Sequence, residues 1–125
     1  MLRLAIAIND QDSEAHLFLA FALNEQEKFD EAQAEYVETC RIAPQWVVAQ
    51  RMLATFYWDR GQLSAAEAVL KHAWTLDETD ARTAYLLAKL SFQAGQTTEA
   101  RRWLERALAL DPQHEGALKL AEQMT

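Results

Sequence analysis

The sequence repeats itself at an interval of 34 residues, and this period restricts the possible folds. Residues 81–114 read ARTAYLLAKLSFQAGQTTEARRWLERALALDPQH, in which two apolar segments are separated by Gly95. A shift of 34 residues brings Gly95 onto Gly61 and Ala100 onto Ala66. A period of roughly 20 to 50 residues indicates an array of structural repeats, in which each unit packs on its neighbours.

The composition favours helices as the building blocks of this array. Half of the 125 residues are hydrophobic, whereas only three are Gly and two are Pro. Ala, Leu, Glu, Gln and Arg are abundant, and all of them form helices readily. The predicted fold class is therefore all-α, a solenoid of antiparallel helix pairs.

The period divides the chain into one domain of three repeats, at residues 13–46, 47–80 and 81–114, followed by a terminal helix at 115–125. The predicted helices span 14–25 and 30–42, 47–60 and 64–76, 81–94 and 98–110, and 115–124. Residues 1–10 match the end of a repeat and are predicted to be the second helix of a preceding one. We therefore expect the chain to belong to a longer array.

The turns inside the repeats have recognisable residues. Gly61 and Gly95 follow the first helices, where a left-handed backbone is least costly for glycine. The first repeat has Glu27 at this position, and we expect it to cost a few tenths to about 1 kcal/mol, through strain or through a different turn.

The second helices are each preceded by a residue that favours a helix start. These residues are Asp30, Ser64 and Thr98, and each can accept a hydrogen bond from an unpaired backbone N–H. The sequence therefore predicts that all three are N-caps.

Alanine recurs at two repeat positions, which predicts close packing within each helix pair. The first-helix position holds Ala20, Ala54 and Ala88, and the second-helix position holds Ala32, Ala66 and Ala100. A larger side chain at Ala66 or Ala100 should overpack the pair, at a cost of roughly 1–3 kcal/mol.

These residues resemble the tetratricopeptide repeat (TPR) family, whose pattern has Trp, Leu, Gly and Tyr in the first helix, then Ala, Phe and Pro. The matching residues are Leu19, Leu53, Leu87, Tyr57, Ala32, Ala66, Ala100, Pro44 and Pro112, with Tyr36 as an aromatic at the Phe position. The Trp position departs from the pattern and holds His16, Gln50 and Ala84. The family Gly is Ala throughout.

The resemblance implies a right-handed superhelix whose first helices line an inner face that holds a peptide or a partner helix. Position by position, the candidates for that face are Leu17, Phe21, Asn24, Arg51, Thr55, Trp58, Arg82, Tyr85, Lys89 and Phe92. Aromatic residues and arginine are frequent interface hot spots. Aromatic side chains at helical spacing also pack between repeats, and exposed basic residues also pair with neighbouring acids at little gain.

Some TPR domains bind the C-terminal carboxylates of chaperones through a clamp of Lys, Asn, Asn, Lys and Arg. In one frame, the corresponding residues here are Leu17, Phe21, Met52, Arg82 and Leu86. The alternative frame, one repeat later, does not reproduce the clamp either. The sequence therefore argues against a chaperone C-terminus receptor.

The sequence predicts no enzyme, no cofactor and no metal site. His16, His72 and His114 are far apart and form no paired-ligand spacing with Cys40. The net charge of −7 argues against nucleic acid as a partner. No apolar run is long enough to span a membrane. The compartment stays open between cytoplasm and periplasm.

The leading functional prediction is a protein–protein interaction scaffold that binds a peptide or partner domain in its groove. By analogy with bacterial members of the family, it would serve an envelope, secretion or polysaccharide-export assembly. The alternative is a structural module that forms a homo-oligomer through its terminal half-repeats. For the groove, we expect Trp58→Ala with Arg51→Glu to abolish partner capture.

Overall fold

The computed structural model describes residues 12–125, and this part of the chain consists of helices without any strand. The helices are α1 (Ser13–Glu25), α2 (Phe29–Ile42), α3 (Val47–Asp59), α4 (Leu63–Leu76), α5 (Ala81–Gln93), α6 (Thr97–Leu110) and α7 (Glu115–Gln123). Each end lies within one residue of its predicted position. The second helix predicted for residues 1–10 lies outside the described residues.

The chain forms two compact units, unit 1 ending at Gln62 and unit 2 beginning at Leu63. In unit 1, α2 packs against both α1 and α3. In unit 2, α5 packs against α4, α6 and α7, and α6 also packs against α7. Each helix therefore buries its apolar side against helices adjacent or nearly adjacent in sequence, as expected for an array of helix pairs.

The recurring alanines lie in the cores of both units, as predicted. All six of them have no exposed surface: Ala20, Ala54, Ala88, Ala32, Ala66 and Ala100. The leucine of the family pattern is also buried in each first helix, with Leu87 completely inaccessible to solvent. Small side chains let neighbouring helices approach closely, so the leucines can fill the remaining space.

The predicted N-caps of the second helices are wrong. Helix α2 begins at Phe29 and α6 at Thr97, so Asp30 and Thr98 lie inside the first turn. The residues at the cap positions, Lys28 and Gln96, make no side-chain capping hydrogen bond. Asp30 can still stabilise α2 through the favourable interaction of a negative charge with the helix N-terminus.

Side-chain caps occur instead at first helices, where the sequence analysis did not place them. Asp12 accepts a hydrogen bond from the Ala15 amide over 3.1 Å, and Asp80 accepts one from the Arg82 amide over 3.0 Å. At α7, His114 Nδ1 accepts from the backbone N–H of Ala117 over 3.0 Å.

The turn after each first helix reverses direction through one left-handed residue. Its φ is +61° at Glu27, +78° at Gly61 and +79° at Gly95. In the first turn, the amides of Lys28 and Glu27 donate to the carbonyls of Leu23 and Asn24, over 2.9 Å and 3.0 Å. This is the Schellman arrangement, which satisfies the last carbonyls of the helix. Glu27 adopts the conformation although it carries a Cβ.

Glu27→Gly is expected to stabilise unit 1 by a few tenths to about 1 kcal/mol, because glycine removes the left-handed strain. Chemical denaturation followed by circular dichroism measures the change. The reciprocal Gly61→Ala variant should lose a similar amount. Equal stability of wild type and Glu27→Gly would show that Glu27 bears no net strain.

Two polar side chains occupy the position where the family has tryptophan. His16 is only 4% exposed, and its Nδ1 lies 2.5 Å from Glu35 Oε1 on α2. Gln50 is also buried, and its Nε2 donates to the Pro44 carbonyl over 3.1 Å. Each therefore replaces an aromatic packing contact with a hydrogen bond that fixes a neighbouring segment.

Candidate functional site

The residues predicted to face a partner in unit 1 differ in accessibility. Phe21 is 51% exposed and Thr55 is also exposed, whereas Leu17 is only 8% exposed. Leu17 is an apolar side chain packed in the core of unit 1, so it is not accessible to a partner. The half-buried members are Asn24, Arg51 and Trp58. Phe21 is therefore the most accessible aromatic candidate of this unit.

The predicted candidates of unit 2 all lie on α5. Arg82 and Lys89 are exposed, and Tyr85 and Phe92 are half-buried. Arg82 and Lys89 are seven residues apart, which is about two helical turns, so they project from similar sides of α5. The accessible part of this helix is therefore basic, although the whole chain carries a net charge of −7.

Tyr85 has a structural role that its sequence position does not reveal. Its ring centroid lies 4.9 Å from that of His114. A Cβ atom at Gly116 would come within 2.8 Å of Tyr85 Cζ, closer than real Cβ contacts. Gly116 therefore leaves room for the tyrosine ring, and Tyr85 joins α5 to α7 with only part of its surface open.

Thr55 satisfies its own hydroxyl within α3. Its Oγ1 donates to the carbonyl of Arg51 over 3.0 Å, a common arrangement for threonine inside a helix. A partner in contact with Thr55 would therefore meet mainly its methyl group.

Phe18 is an accessible aromatic residue that the sequence analysis missed. It is 61% exposed and lies three residues before Phe21 on α1. Residues three apart on a helix are neighbours, so the two rings form one apolar patch. The repeat gives Met52 and Leu86 at the position of Phe18, and both of these are half-buried, so the other repeats give no signal for an exposed aromatic residue there.

The described residues offer no metal site, since no three His, Cys, Asp or Glu side chains among them cluster closely enough to hold an ion. His16 pairs with Glu35 between α1 and α2, where the histidine is buried and the glutamate is half-buried. Among the helices of residues 12–125, none is long and apolar enough to cross a bilayer.

Cys40 lies half-buried on α2, and burial raises the pKa of its thiol to about 11. Desolvation disfavours the thiolate, which is the reactive form of cysteine. A thiol of this kind serves as a packing group and is a poor nucleophile at neutral pH.

The native chain is expected to react with iodoacetamide at pH 8 roughly a hundredfold more slowly than an unfolded chain, because two pKa units lower the thiolate fraction by that factor. The rate for the same chain in urea is the control. Equal rates would mean that burial does not suppress the thiolate.

Alkaline pH acts on stability through the same residue and through Tyr36. Burial also raises the pKa of Tyr36, with smaller contributions from Glu25 and Asp59. A group with a raised folded-state pKa stabilises the fold below its unfolded-state pKa, and this stabilisation is lost as the pH rises through the folded-state value. Both residues therefore make the free energy of unfolding of unit 1 fall above about pH 9.

The architecture of consecutive helix pairs, with alanines at the contacts and left-handed turns between helices, defines a helical repeat protein. The family profile of the tetratricopeptide repeat matches residues 57–124, which is more than half of the 125-residue chain. The chain therefore belongs to the tetratricopeptide repeat family. Among curated proteins, none matches the sequence.

Solved structures resemble this chain over most of its length. The first TPR of Spaghetti (RPAP3), bound to the HSP90 peptide SRMEEVD, is 21% identical with a TM-score of 0.82, covering 91% of this chain and 90% of its own. The Arabidopsis OM64 TPR domain is 17% identical, covering 90% and 93%, with a TM-score of 0.81. MamA is 16% identical, covering 93% and 68%, with a TM-score of 0.83. At these identities the likeness establishes the fold, and it confirms the predicted all-α, TPR-like class.

Proposed function

We propose that this chain is a non-catalytic scaffold whose first helices bind a peptide or a domain of a partner protein. The observation that carries the proposal is the exposure of Phe21, Arg82 and Lys89 at the repeat positions assigned to the partner-binding face. The recurring alanines and leucines of the same helices are buried, namely Ala20, Ala88, Leu19 and Leu87. Side chains of this kind, held on rigid helices, favour recognition of another protein.

The chemistry of the exposed residues indicates what the partner presents. On α1, the patch formed by Phe18 and Phe21 is apolar, so it favours an apolar or aromatic group. On α5, Arg82 and Lys89 favour a carboxylate. We therefore expect a partner that presents an apolar group to unit 1 and a carboxylate to unit 2. Asn24, Arg51, Trp58 and Phe92, all half-buried, would supply secondary contacts.

The three repeats at residues 13–46, 47–80 and 81–114 form the proposed binding domain. A role in a bacterial envelope, secretion or polysaccharide-export assembly is the narrower form of the proposal, and it rests on resemblance to family members. Purification of the partner from the source cell identifies the assembly directly.

A second candidate function is a homo-oligomer that pairs the terminal half-repeats of two chains. Leu118 on the terminal helix α7 is 42% exposed, and this apolar surface favours the idea. A molecular mass in solution that rises with protein concentration for the wild type, but stays at the monomer value for Leu118→Glu, would support it. A constant monomer mass would exclude it.

The direct test of the scaffold is a pull-down with Arg82→Glu and Lys89→Glu combined. Both residues are exposed, so the fold should survive and capture of the partner should be lost. The pair is a cleaner test than Trp58→Ala with Arg51→Glu, since those two residues are half-buried.

The matched control is Lys71→Glu with Arg101→Glu, which makes the same charge change at exposed sites on the second helices α4 and α6. It should retain the partner. Capture that survives the α5 double variant, or is lost equally in the control, would contradict a binding face on the first helices.

A further inference from the structure

The second helices carry a charge contrast that the proposed scaffold role does not use. Helix α2 contains four acidic residues and a single arginine, whereas α6 contains three arginines and two glutamates. The two helices occupy the same place in their repeats, 68 residues apart. A surface hollow lies on each of them, in unit 1 and in unit 2 respectively.

The hollow on α6 is basic and has an aromatic wall. Its volume is about 450 Å³, and it is lined by Thr98, Glu99, Arg102, Trp103 and Arg106. The Arg106 guanidinium lies over the Trp103 ring, 4.5 Å from the ring centroid. Trp103 in turn makes an edge-on contact with Trp74, with ring centroids 5.4 Å apart. The wall is therefore fixed by packing rather than free to rotate.

The acidic residue of this hollow is already paired within unit 2. Glu99 Oε1 lies 3.4 Å from Lys71 Nζ. Arg102 and Arg106 are exposed, and neither forms a salt bridge within residues 12–125. The hollow therefore presents a net positive charge toward solvent.

The hollow on α2 has the opposite character and a similar size. Its volume is about 440 Å³, and it is lined by Asp30, Gln33, Ala34, Val37 and Glu38. Asp30 and Ala34 are exposed, and Val37 is 42% exposed. Glu38 is paired with Arg41 of the same helix, with Arg41 Nη2 2.6 Å from Glu38 Oε2, so Asp30 is the lining carboxylate that has no salt bridge within residues 12–125. A small apolar floor beside this carboxylate is complementary to an aromatic wall beside guanidinium groups.

We propose that the basic hollow on α6 of one copy binds the acidic hollow on α2 of a second copy. Because the two surfaces differ, the contact is heterologous and leaves one unused surface at each end of a pair, so that further copies can add. This assembly goes beyond the scaffold role, and it uses the second helices rather than the terminal half-repeats or the partner-binding first helices.

The test is sedimentation velocity over a wide range of concentration, with three chains. The wild-type chain should associate in low salt, and the association should weaken in about 0.5 M salt, where exposed charges are screened. Arg102→Glu with Arg106→Glu should remain a monomer. Asp30→Lys with Ala34→Lys should also remain a monomer. An equimolar mixture of the two variants should associate again, because each then offers the charge that the other has lost.

The double variant Arg82→Glu with Lys89→Glu is the control, and it should still self-associate. A wild-type chain that stays monomeric at every concentration, or variants that associate as well as wild type, would overturn the proposal. A monomeric chain that needs Arg102 only to capture a different protein would show that the hollow binds that protein. This result would also overturn self-assembly.

Discussion

Leu87→Ala is expected to destabilise unit 2 by about 2–5 kcal/mol, the range measured for leucine truncation in well-packed cores. Leu87 has no exposed surface, and it lies on α5, which packs against α4, α6 and α7. Loss of its side chain removes apolar burial and leaves a cavity that several helices border. A loss of this size is a large part of the stability of a small domain.

Leu118→Ala is the matched control, because Leu118 lies inside a helix of the same unit and is 42% exposed. Its truncation should change the free energy of unfolding by less than about 1 kcal/mol. Chemical denaturation of both variants, followed by circular dichroism, gives the comparison. Similar losses of unfolding free energy in the two variants would show that packing around Leu87 on α5 is no more important for unit 2 than an exposed position.

Ala100→Leu is expected to cost roughly 1–3 kcal/mol through overpacking. Ala100 is completely buried on α6, which packs against α5. The added carbon atoms have no room unless the helices separate, and separation would weaken the neighbouring contacts. The effect is therefore destabilising although leucine is a good helix former.

Ala109→Leu makes the same change on the same helix at an exposed position. Both substitutions replace alanine with leucine in the same helix and differ in burial. The difference between their free energies of unfolding therefore gives the cost of overpacking. We expect the Ala109 variant to stay within about 0.5 kcal/mol of wild type. An Ala100→Leu variant as stable as wild type would refute the close approach of α5 and α6.

The helices and their contacts were predictable because they depend on features that repeat. The 34-residue period located the helix ends to within one residue, and the recurring alanines identified the close contacts. At Glu27 the repeat left two outcomes open, a strained left-handed residue or a different turn, and the structure has the left-handed residue that Gly61 and Gly95 also adopt. Because the sequence pattern recurs, the helix ends and contacts of one repeat predict those of the next.

The N-cap residues were less predictable, because a shift of the helix start by one residue changes which residue is the N-cap. Asp30 and Thr98 are good N-cap types, yet the helices begin one residue before each of them. Capping preference contributes only about 1 kcal/mol, so tertiary packing of the helix can override it. His114 was missed as a cap because histidine is not among the usual N-cap residues.

The accessible surface was the least predictable part of the candidate site. The repeat positions assigned Leu17, Arg51 and Tyr85 to one partner-binding face. In the structure, Leu17 is buried and Tyr85 packs against Gly116. Exposure depends on which side chains surround a position, and these differ between repeats. The same limit explains why Phe18 was missed.

Site-specific photo-crosslinking can show residue by residue whether the first helices hold the partner. A photoreactive phenylalanine analogue would replace Phe21, Lys89, Val37 or Ala68 in separate chains, each of these positions being exposed. Phe21 and Lys89 lie on first helices, whereas Val37 and Ala68 lie on second helices. We expect adducts with a protein other than a second copy of this chain only from Phe21 and Lys89. Such adducts from Val37 or Ala68, with none from Phe21 and Lys89, would contradict a partner-binding face on the first helices.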